Sequence, residues 1–176
     1  MAGDERLRLF LGYVLPDGAV QALAAWQGRE LRERVVPPGN LHVTLAFLGH
    51  RPAGELPSIL DVLGRAAAAS TSPVFTVSGY RETRSVGMLT LDEPNGVATA
   101  LAGRLHADLA ALGVYEPERR PWLPHVTVTR FRERPRLRPS LPEIGPIVTS
   151  DAAAFLSRLH PSGARYEVLE SFRLGG

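Results

Sequence analysis

The sequence has 176 residues, 44% of them hydrophobic, and a formal net charge of +2 at pH 7. This length and apolar content predict one domain, spanning residues 1–176, with a buried core. The absence of cysteine excludes disulfides and thiolate metal sites, and the absence of an apolar run of about 18 residues excludes a spanning helix. Met1–Glu5 is acidic and lacks the regions of a signal peptide. We therefore expect a cytoplasmic monomer with no membrane association and no obligatory protein partner.

The predicted elements follow from alternation and from helical spacing of apolar residues. In chain order they are a strand at 6–14, a helix from about 17 to 34, a strand at 41–48, a helix at 57–69, strands at 74–80 and 88–91, a helix at 95–112, and strands at 125–131, 155–159 and 166–174. Pro37–Asn40 is predicted to stop the first helix, and Gly113 is predicted to end the helix at 95–112. The class is α+β or mixed α/β, and the similar order of elements in the two halves favours a duplicated, two-lobed fold.

All basic residues are arginines, and the planar guanidinium suits bidentate phosphate contact. The densest group flanks one segment of the second half: Arg119, Arg120, Arg130, Arg132, Arg134, Arg136 and Arg138. The Pro-interrupted stretch Arg132–Arg138 predicts a surface loop. Such a loop is either ordinary solvated surface or an electrostatic guide for the phosphates of a ligand.

One short segment occurs twice, as Leu41–Leu45 and as Pro124–Val128, each containing His-Val-Thr. Residues two apart in a strand share a face, so His42 projects with Thr44 and His125 projects with Thr127. A single such segment is well explained as a core histidine with neighbours of high β propensity. The repeat favours a shared site instead.

The paired segments suit displacement at phosphorus. An unperturbed imidazole has a pKa of about 6.5, so one ring can accept a proton from water while the other donates one to the leaving oxygen. Threonine hydroxyls can donate hydrogen bonds to non-bridging phosphate oxygens. Zinc would need a further ligand that neither histidine face supplies. We therefore expect no metal and no cofactor, and a strained cyclic phosphodiester as the substrate.

These residues resemble a known family. The resemblance runs through Arg8–Phe10, Asn40–Gly49, Pro124–Arg130 and Leu159–Tyr166. It is to the two-histidine, LigT-like phosphoesterase superfamily, and within it to the bacterial RNA 2′,3′-cyclic phosphodiesterases, also called 2′-5′ RNA ligases. The stretch Asn40–Gly49 is its most specific part.

The resemblance implies a bilobal, pseudo-two-fold fold in which two antiparallel sheets face each other across a central cleft, with helices outside. It implies that His42 is the proton donor and His125 the proton acceptor when an RNA 2′,3′-cyclic phosphate is opened to a 2′-phosphomonoester. The partner it implies is RNA with such an end, and ligation of 2′-5′ linkages is a side activity.

Four further residues are predicted to bind substrate. Arg130 ends the second motif and is expected to contact phosphate. Simple alternation, however, places both Arg130 and Phe47 on the strand face opposite the histidines, and it places Thr129 on the same face as His125. Phe47 is either a core residue or a residue that stacks on a base. Arg8 lies on the first strand, and Trp122 is a candidate for stacking on a base. Three other histidines are expected to be solvated: His50, His106 and His160.

Two alternatives remain open. One keeps the chemistry but takes a small cyclic nucleotide as substrate. The other is a binding module that holds a nucleotide or an RNA end without turnover. Steady turnover excludes the binding module.

Overall fold

The computed structural model describes residues 5–31 and 34–175. Its helices and strands follow in chain order: β1 (Arg6–Val14), α1 (Asp17–Glu30), β2 (His42–Pro52), α2 (Leu56–Ala68), β3 (Val74–Glu82), β4 (Val86–Asp92), α3 (Val97–Leu112), β5 (His125–Arg130), β6 (Ile147–Val148), β7 (Asp151–Arg158) and β8 (Arg165–Arg173). Short 3-10 turns precede β2 and α2. In the described part of the chain, no helix is long and apolar enough to cross a membrane.

The strands form two four-stranded sheets, which confirms the predicted α+β class. The first has the order β2-β1-β7-β8 and the second the order β5-β4-β3-β6. All their strand pairs are antiparallel. The two histidine strands, β2 and β5, are therefore each at the edge of a different sheet.

The order of elements repeats around the histidine strands. In the first half, β1, α1 and β2 follow one another, and β1 pairs with β2. In the second half, β4, α3 and β5 do the same, and β4 pairs with β5. This repeat supports a duplicated fold. The two-fold relation, the single two-lobed domain and the facing of the sheets across a cleft stay predictions.

Several predicted boundaries were wrong. The first helix ends at Glu30, because Leu31 is already extended, whereas it was predicted to reach about Arg34. Within that stretch Arg32 and Glu33 lie outside the described residues, as does Met1–Asp4 of the N-terminal prediction. The second strand continues to Pro52, and β7 begins at Asp151, before the predicted start. The short strand β6 was missed.

The first sheet has two different faces. One face carries Leu9, Leu11 and Tyr13 into the main apolar core, which also contains residues of the second sheet and of the helices. The other face carries a smaller cluster of Phe10, Ala153 and Phe155. The alternation in β1 fixes this division, and the smaller cluster lies on the side of His42.

Candidate active site

The two predicted histidines begin β2 and β5 and are held in the same way. The Nδ1 of His42 donates to the carbonyl oxygen of Asn40 at 2.7 Å. The Nδ1 of His125 donates to the carbonyl oxygen of Leu123 at 3.0 Å. Because a carbonyl can only accept, each ring carries a proton on Nδ1. In each neutral ring, Nε2 is therefore the atom able to exchange a proton.

His42 lies in an aromatic enclosure. Its ring centroid is 4.6 Å from that of Phe10, 5.6 Å from that of Phe155 and 5.5 Å from that of Tyr166, which it meets edge-on. Its Nε2 is 2.8 Å from the Oγ1 of Thr44. In the neutral ring the Thr44 hydroxyl donates to Nε2, so the first histidine and the first threonine form one unit.

The enclosure changes the acidity of His42. Burial lowers its pKa to about 4, the hydrogen bond to Asn40 opposes this shift, and the charges of His125 and Arg130 add to it. Burial disfavours the charged imidazolium because it removes water from the ring. His42 is thus neutral near neutral pH in the free protein. Arg130 also lies near His42, because the side chains of both approach Tyr166.

Asn40 and Tyr166 support the first histidine and were not predicted as site residues. The side chain of Asn40 donates to the carbonyl of Ala164 at 2.8 Å and accepts from the backbone N–H of Tyr166 at 3.2 Å. The Tyr166 hydroxyl accepts from Arg130 Nη2 at 3.5 Å. Asn40 therefore ties the start of β8 to the carbonyl that orients His42. The sequence pattern Asn-Leu-His was the available signal.

A bulge in each histidine strand overturns the alternation used to place Phe47 and Arg130. In β2, Thr44 pairs with Gly12 and Ala46 with Leu11, so Leu45 is an extra residue. The next pair joins Phe47 to Phe10, which lies on the His42 side of the sheet. Phe47 is accordingly 49% exposed, on the same face as His42.

The bulge in β5 has the same position relative to its histidine. Thr127 pairs with Met88 and Thr129 with Gly87, so Val128 is the extra residue. Because of this extra residue, Arg130 lies on the same face of β5 as Thr127. Thr129, predicted to share the face of His125, is instead 2% exposed, and its hydroxyl donates to the carbonyl of Arg34 at 3.1 Å.

The carbonyl oxygen of each bulged residue accepts from a helix side chain. His106 of α3 donates from Nε2 to Leu45 at 2.7 Å, and Gln27 of α1 donates from Nε2 to Val128 at 2.9 Å. The prediction that His106 is solvated was therefore wrong, since its ring also stacks on Tyr115 at 4.8 Å. Each histidine strand is held by the helix of the other repeat.

The remaining predicted residues also lie near the histidine strands. The Arg8 guanidinium is 5.0 Å from the centroid of Phe47 and donates to Ser157 Oγ at 3.0 Å. The Trp122 indole packs against the main core and donates to the carbonyl of Thr44 at 3.0 Å. Trp122 therefore joins the segment before His125 to the strand of His42. Base stacking by Trp122 or Phe47 stays a prediction.

A cavity of about 520 Å³ lies between these elements. Thr44 and Phe47 of β2 line it together with Met88 of β4, Trp122 and His125. This volume is in the range of small-molecule sites, about 300 to 1,000 Å³. Among the described residues, no group of three or more His, Asp or Glu side chains is placed to hold a metal ion. Metal independence stays a prediction.

The fold and the site define a protein with matching His-x-Thr strands beside one cavity. A family model described as the 2′-5′ RNA ligase superfamily matches residues 15–160, and the chain belongs to this superfamily. The resemblance read from the sequence is thus confirmed. The RNA 2′,3′-cyclic phosphodiesterase of Thermus thermophilus is 30% identical over 193 residues, which cover 97% of this chain and 91% of that protein.

Solved structures show the same fold. The crystal structure of TT0787 of Thermus thermophilus is 31% identical, with a TM-score of 0.82, and the match covers 96% of this chain and 98% of that chain. The crystal structure of E. coli LigT complexed with NADP+ is 26% identical, with a TM-score of 0.83, over 98% of this chain and 100% of that chain.

Proposed function

We propose that this protein hydrolyses RNA 2′,3′-cyclic phosphate ends to 2′-phosphomonoesters, without a metal ion. One observation carries the proposal: His42 and His125 are both oriented through Nδ1, and their strands border one cavity. The curated relative from Thermus thermophilus named RNA 2′,3′-cyclic phosphodiesterase supports the substrate class. Localisation in the cytoplasm and a monomeric state remain part of the proposal.

The proposed reaction is an in-line attack by water. The Nε2 of His125 accepts a proton as the water oxygen bonds to phosphorus, and the bond from phosphorus to O3′ breaks. The Nε2–H of His42 donates its proton to O3′, which leaves as the 3′-hydroxyl. Thr44 and Thr127 donate hydrogen bonds to the non-bridging oxygens, where negative charge remains through the transition state. Proton exchange with solvent then restores both rings.

His42 must gain a proton before it can donate one. Its pKa of about 4 in the free protein leaves the ring neutral near neutral pH. A bound phosphodiester places a negative charge beside this ring and offsets the charge of Arg130, which raises the pKa of His42. Substrate binding therefore favours the protonated form of His42, which is the form that can act as the acid. The low pKa of His42 avoids a buried charge before substrate binds.

Arg130, Arg8, Phe47 and Trp122 are the proposed substrate-binding residues. Arg130 returns to the catalytic face and can contact the phosphate. The E. coli LigT structure with NADP+ supports this class of ligand, because NADP+ carries a 2′-phosphomonoester on a ribose, as the proposed product does. The same site is also proposed to carry out ligation as a side activity. In that reaction a 5′-hydroxyl attacks the phosphorus in place of water and gives a 2′-5′ linkage.

The test is hydrolysis of a short RNA with a 2′,3′-cyclic phosphate end, in excess EDTA. The unaltered protein is compared with His42→Ala and His125→Ala, and the hydroxyl that keeps the phosphate is identified. His50→Ala is the matched control, because His50 is exposed and lies outside the cavity lining. We expect a 2′-phosphate, and a loss of about 10²-fold to 10⁴-fold for each active-site variant.

The outcomes separate the alternatives. Binding of the RNA end without turnover would favour a binding module. Turnover that is insensitive to both substitutions would place the chemistry elsewhere. Turnover that EDTA abolishes would refute metal independence. Efficient turnover of a mononucleotide only would favour a small cyclic nucleotide as the substrate.

A further inference from the structure

The lining of the cavity that contains His125 also includes two arginines. Arg81 of β3 and Arg120, from the segment before β5, both line it. Among the described residues, neither guanidinium forms a salt bridge, whereas five other arginines do: Arg51, Arg65, Arg104, Arg134 and Arg158. Arg81 and Arg120 are therefore available to an anionic ligand in the cavity.

Strand register places Arg81 on the catalytic face of the second sheet. Thr127 pairs with Met88, and Met88 pairs with Arg81, so the three residues form one row across β5, β4 and β3. Residues paired in this way share a face, and neighbouring strands are about 4.8 Å apart. The Arg81 backbone thus lies about two strand spacings from Thr127, within reach of a long side chain extending back over Met88.

The neighbouring row leaves this face open. His125 pairs with Thr90, and Thr90 pairs with Gly79. Gly79 has no side chain, so a ligand extending from His125 towards Arg81 meets two small hydroxyls in this row, that of Thr90 and that of Ser78, whose oxygens are 3.0 Å apart. The face is therefore able to accommodate a chain that continues past the reacting phosphate.

The charge of the region also suits a phosphodiester. Glu118 is the acidic residue in the cavity lining, and Arg81 and Arg120 outnumber it. The phosphodiester that joins the last two nucleotides of an RNA carries one negative charge and lies one nucleotide from the cyclic phosphate. Guanidinium donors bind such an oxyanion through charge-assisted hydrogen bonds.

We infer that Arg81 and Arg120 form a subsite for the phosphodiester immediately 5′ of the terminal nucleotide. The preferred ligand is then an RNA end of at least two nucleotides rather than a mononucleotide. This inference rests on the proposed function and adds to it the recognition of the chain upstream of the reacting phosphate.

The experiment compares kcat/KM for a nucleoside 2′,3′-cyclic phosphate with that for a dinucleotide bearing the same end. A third substrate replaces the internal phosphodiester of the dinucleotide with an uncharged methylphosphonate. We expect the dinucleotide to exceed the other two by about tenfold to a hundredfold, the size of one or two charge-assisted hydrogen bonds. Low ionic strength is used because exposed charges are screened by salt.

Two variants test whether Arg81 and Arg120 cause the preference for the charged dinucleotide. In Arg81→Gln and Arg120→Gln, the ratio of dinucleotide to methylphosphonate kcat/KM is expected to fall towards one. Arg119→Gln is the matched control, because Arg119 is exposed, precedes Arg120 and does not line the cavity. Its ratio should equal that of the unaltered protein. Equal kcat/KM for charged and uncharged dinucleotides, or a ratio unchanged by both test variants, would overturn the inference.

Failure of the proposed function gives a different result. In that case none of the three substrates is turned over. Binding of the dinucleotide 2′-phosphate and of its methylphosphonate analogue, measured by calorimetry, then decides the inference by itself. A preference for the charged ligand that Arg81→Gln and Arg120→Gln remove supports the subsite, and equal affinities refute it.

Discussion

The imidazole of His106 donates a hydrogen bond of 2.7 Å to the carbonyl oxygen of Leu45, the bulged residue that follows Thr44 in β2. A bulge leaves a backbone group without its usual partner in the ladder. His106 supplies that partner from α3, which belongs to the other repeat. The bulge in turn sets the face on which Phe47 appears, so a helix residue outside the two motifs shapes the cavity.

His106→Phe tests this arrangement. Phenylalanine keeps an aromatic ring against Tyr115 but cannot donate to the Leu45 carbonyl. An unsatisfied buried carbonyl costs about 1 to 3 kcal/mol, so we expect this loss in the free energy of unfolding, measured with urea. We also expect a severalfold rise in KM for the RNA end, because the bulge that presents Phe47 is no longer fixed.

Trp26→Phe is the control. The Trp26 indole donates to the carbonyl of Ser140 at 2.7 Å, and Trp26 does not line the cavity. Its substitution removes a comparable hydrogen bond and should destabilise the protein without changing KM. An unchanged KM in His106→Phe as well would mean that the bulge does not need this hydrogen bond.

The bulges also show where prediction from sequence ended. The repeated His-Val-Thr segments predicted His42 and His125 as a pair on two strands, because hydrophobic alternation and residue chemistry are local properties. The faces of Phe47 and Arg130 were assigned by simple alternation, which fails after one extra residue. Neither bulge carries a glycine, and each depends on the register of the neighbouring strand, which one strand's sequence does not specify.

His106 and Gln27 were missed for a related reason. Both lie on helices, where a polar residue is expected to face solvent. His106 directly follows buried Leu105 in α3, and Gln27 directly follows buried Trp26 in α1. A polar residue at the margin of a buried face was the available signal. Its partner, a bulge carbonyl in a distant strand, depends on the tertiary fold.

Gly12 provides a second prediction. A Cβ atom at this position would lie 2.6 Å from the carbonyl oxygen of Val43 and 3.3 Å from Cδ2 of His42. Gly12→Ala therefore separates β1 from β2 and displaces the imidazole. We expect a loss of about 1 to 3 kcal/mol in the free energy of unfolding. We also expect a fall in kcat of about tenfold or more, measured on folded protein, because catalytic geometry tolerates little displacement.

Gly28→Ala is the matched comparison, because a Cβ atom there would have no neighbour within 4 Å. Gly28 lies in α1, where alanine is favoured over glycine by about 1 kcal/mol. This variant should be at least as stable as the unaltered protein and equally active. Normal kcat in Gly12→Ala would show that the strand gap is not needed to orient His42.

The lowered pKa of His42 predicts a pH dependence of stability. The ring titrates near the ordinary value of about 6.5 in the unfolded chain and near about 4 in the folded protein. Between these values the unfolded chain binds more protons, so His42 makes the free energy of unfolding rise with pH across this window. Urea unfolding is measured at about pH 5 and about pH 7. The increase in the free energy of unfolding between these two pH values should be smaller in His42→Gln than in the unaltered protein.

His50→Gln controls for the loss of a histidine outside the site, and its pH dependence should match that of the unaltered protein. Direct NMR titration of His42 should give a value well below the ordinary one, and a bound nucleoside 2′-phosphate should raise it. A normal His42 pKa in the free protein would refute the effect of the aromatic enclosure. An unchanged pKa with the phosphate bound would refute recruitment of the acid by substrate.

Replacing the 3′ bridging oxygen of the cyclic phosphate with sulfur tests the roles of the two histidines. A thiol has a pKa of about 8.5, so the sulfur leaves as a thiolate and needs no proton from an acid. If His42 donates to O3′, His42→Ala loses about 10²-fold to 10⁴-fold in rate on the oxygen substrate and far less on the sulfur substrate. His125→Ala should lose as much on both, since activation of water is still required. Rescue of His125→Ala instead of His42→Ala would exchange the two roles, and rescue of neither would show that departure of O3′ does not limit the rate.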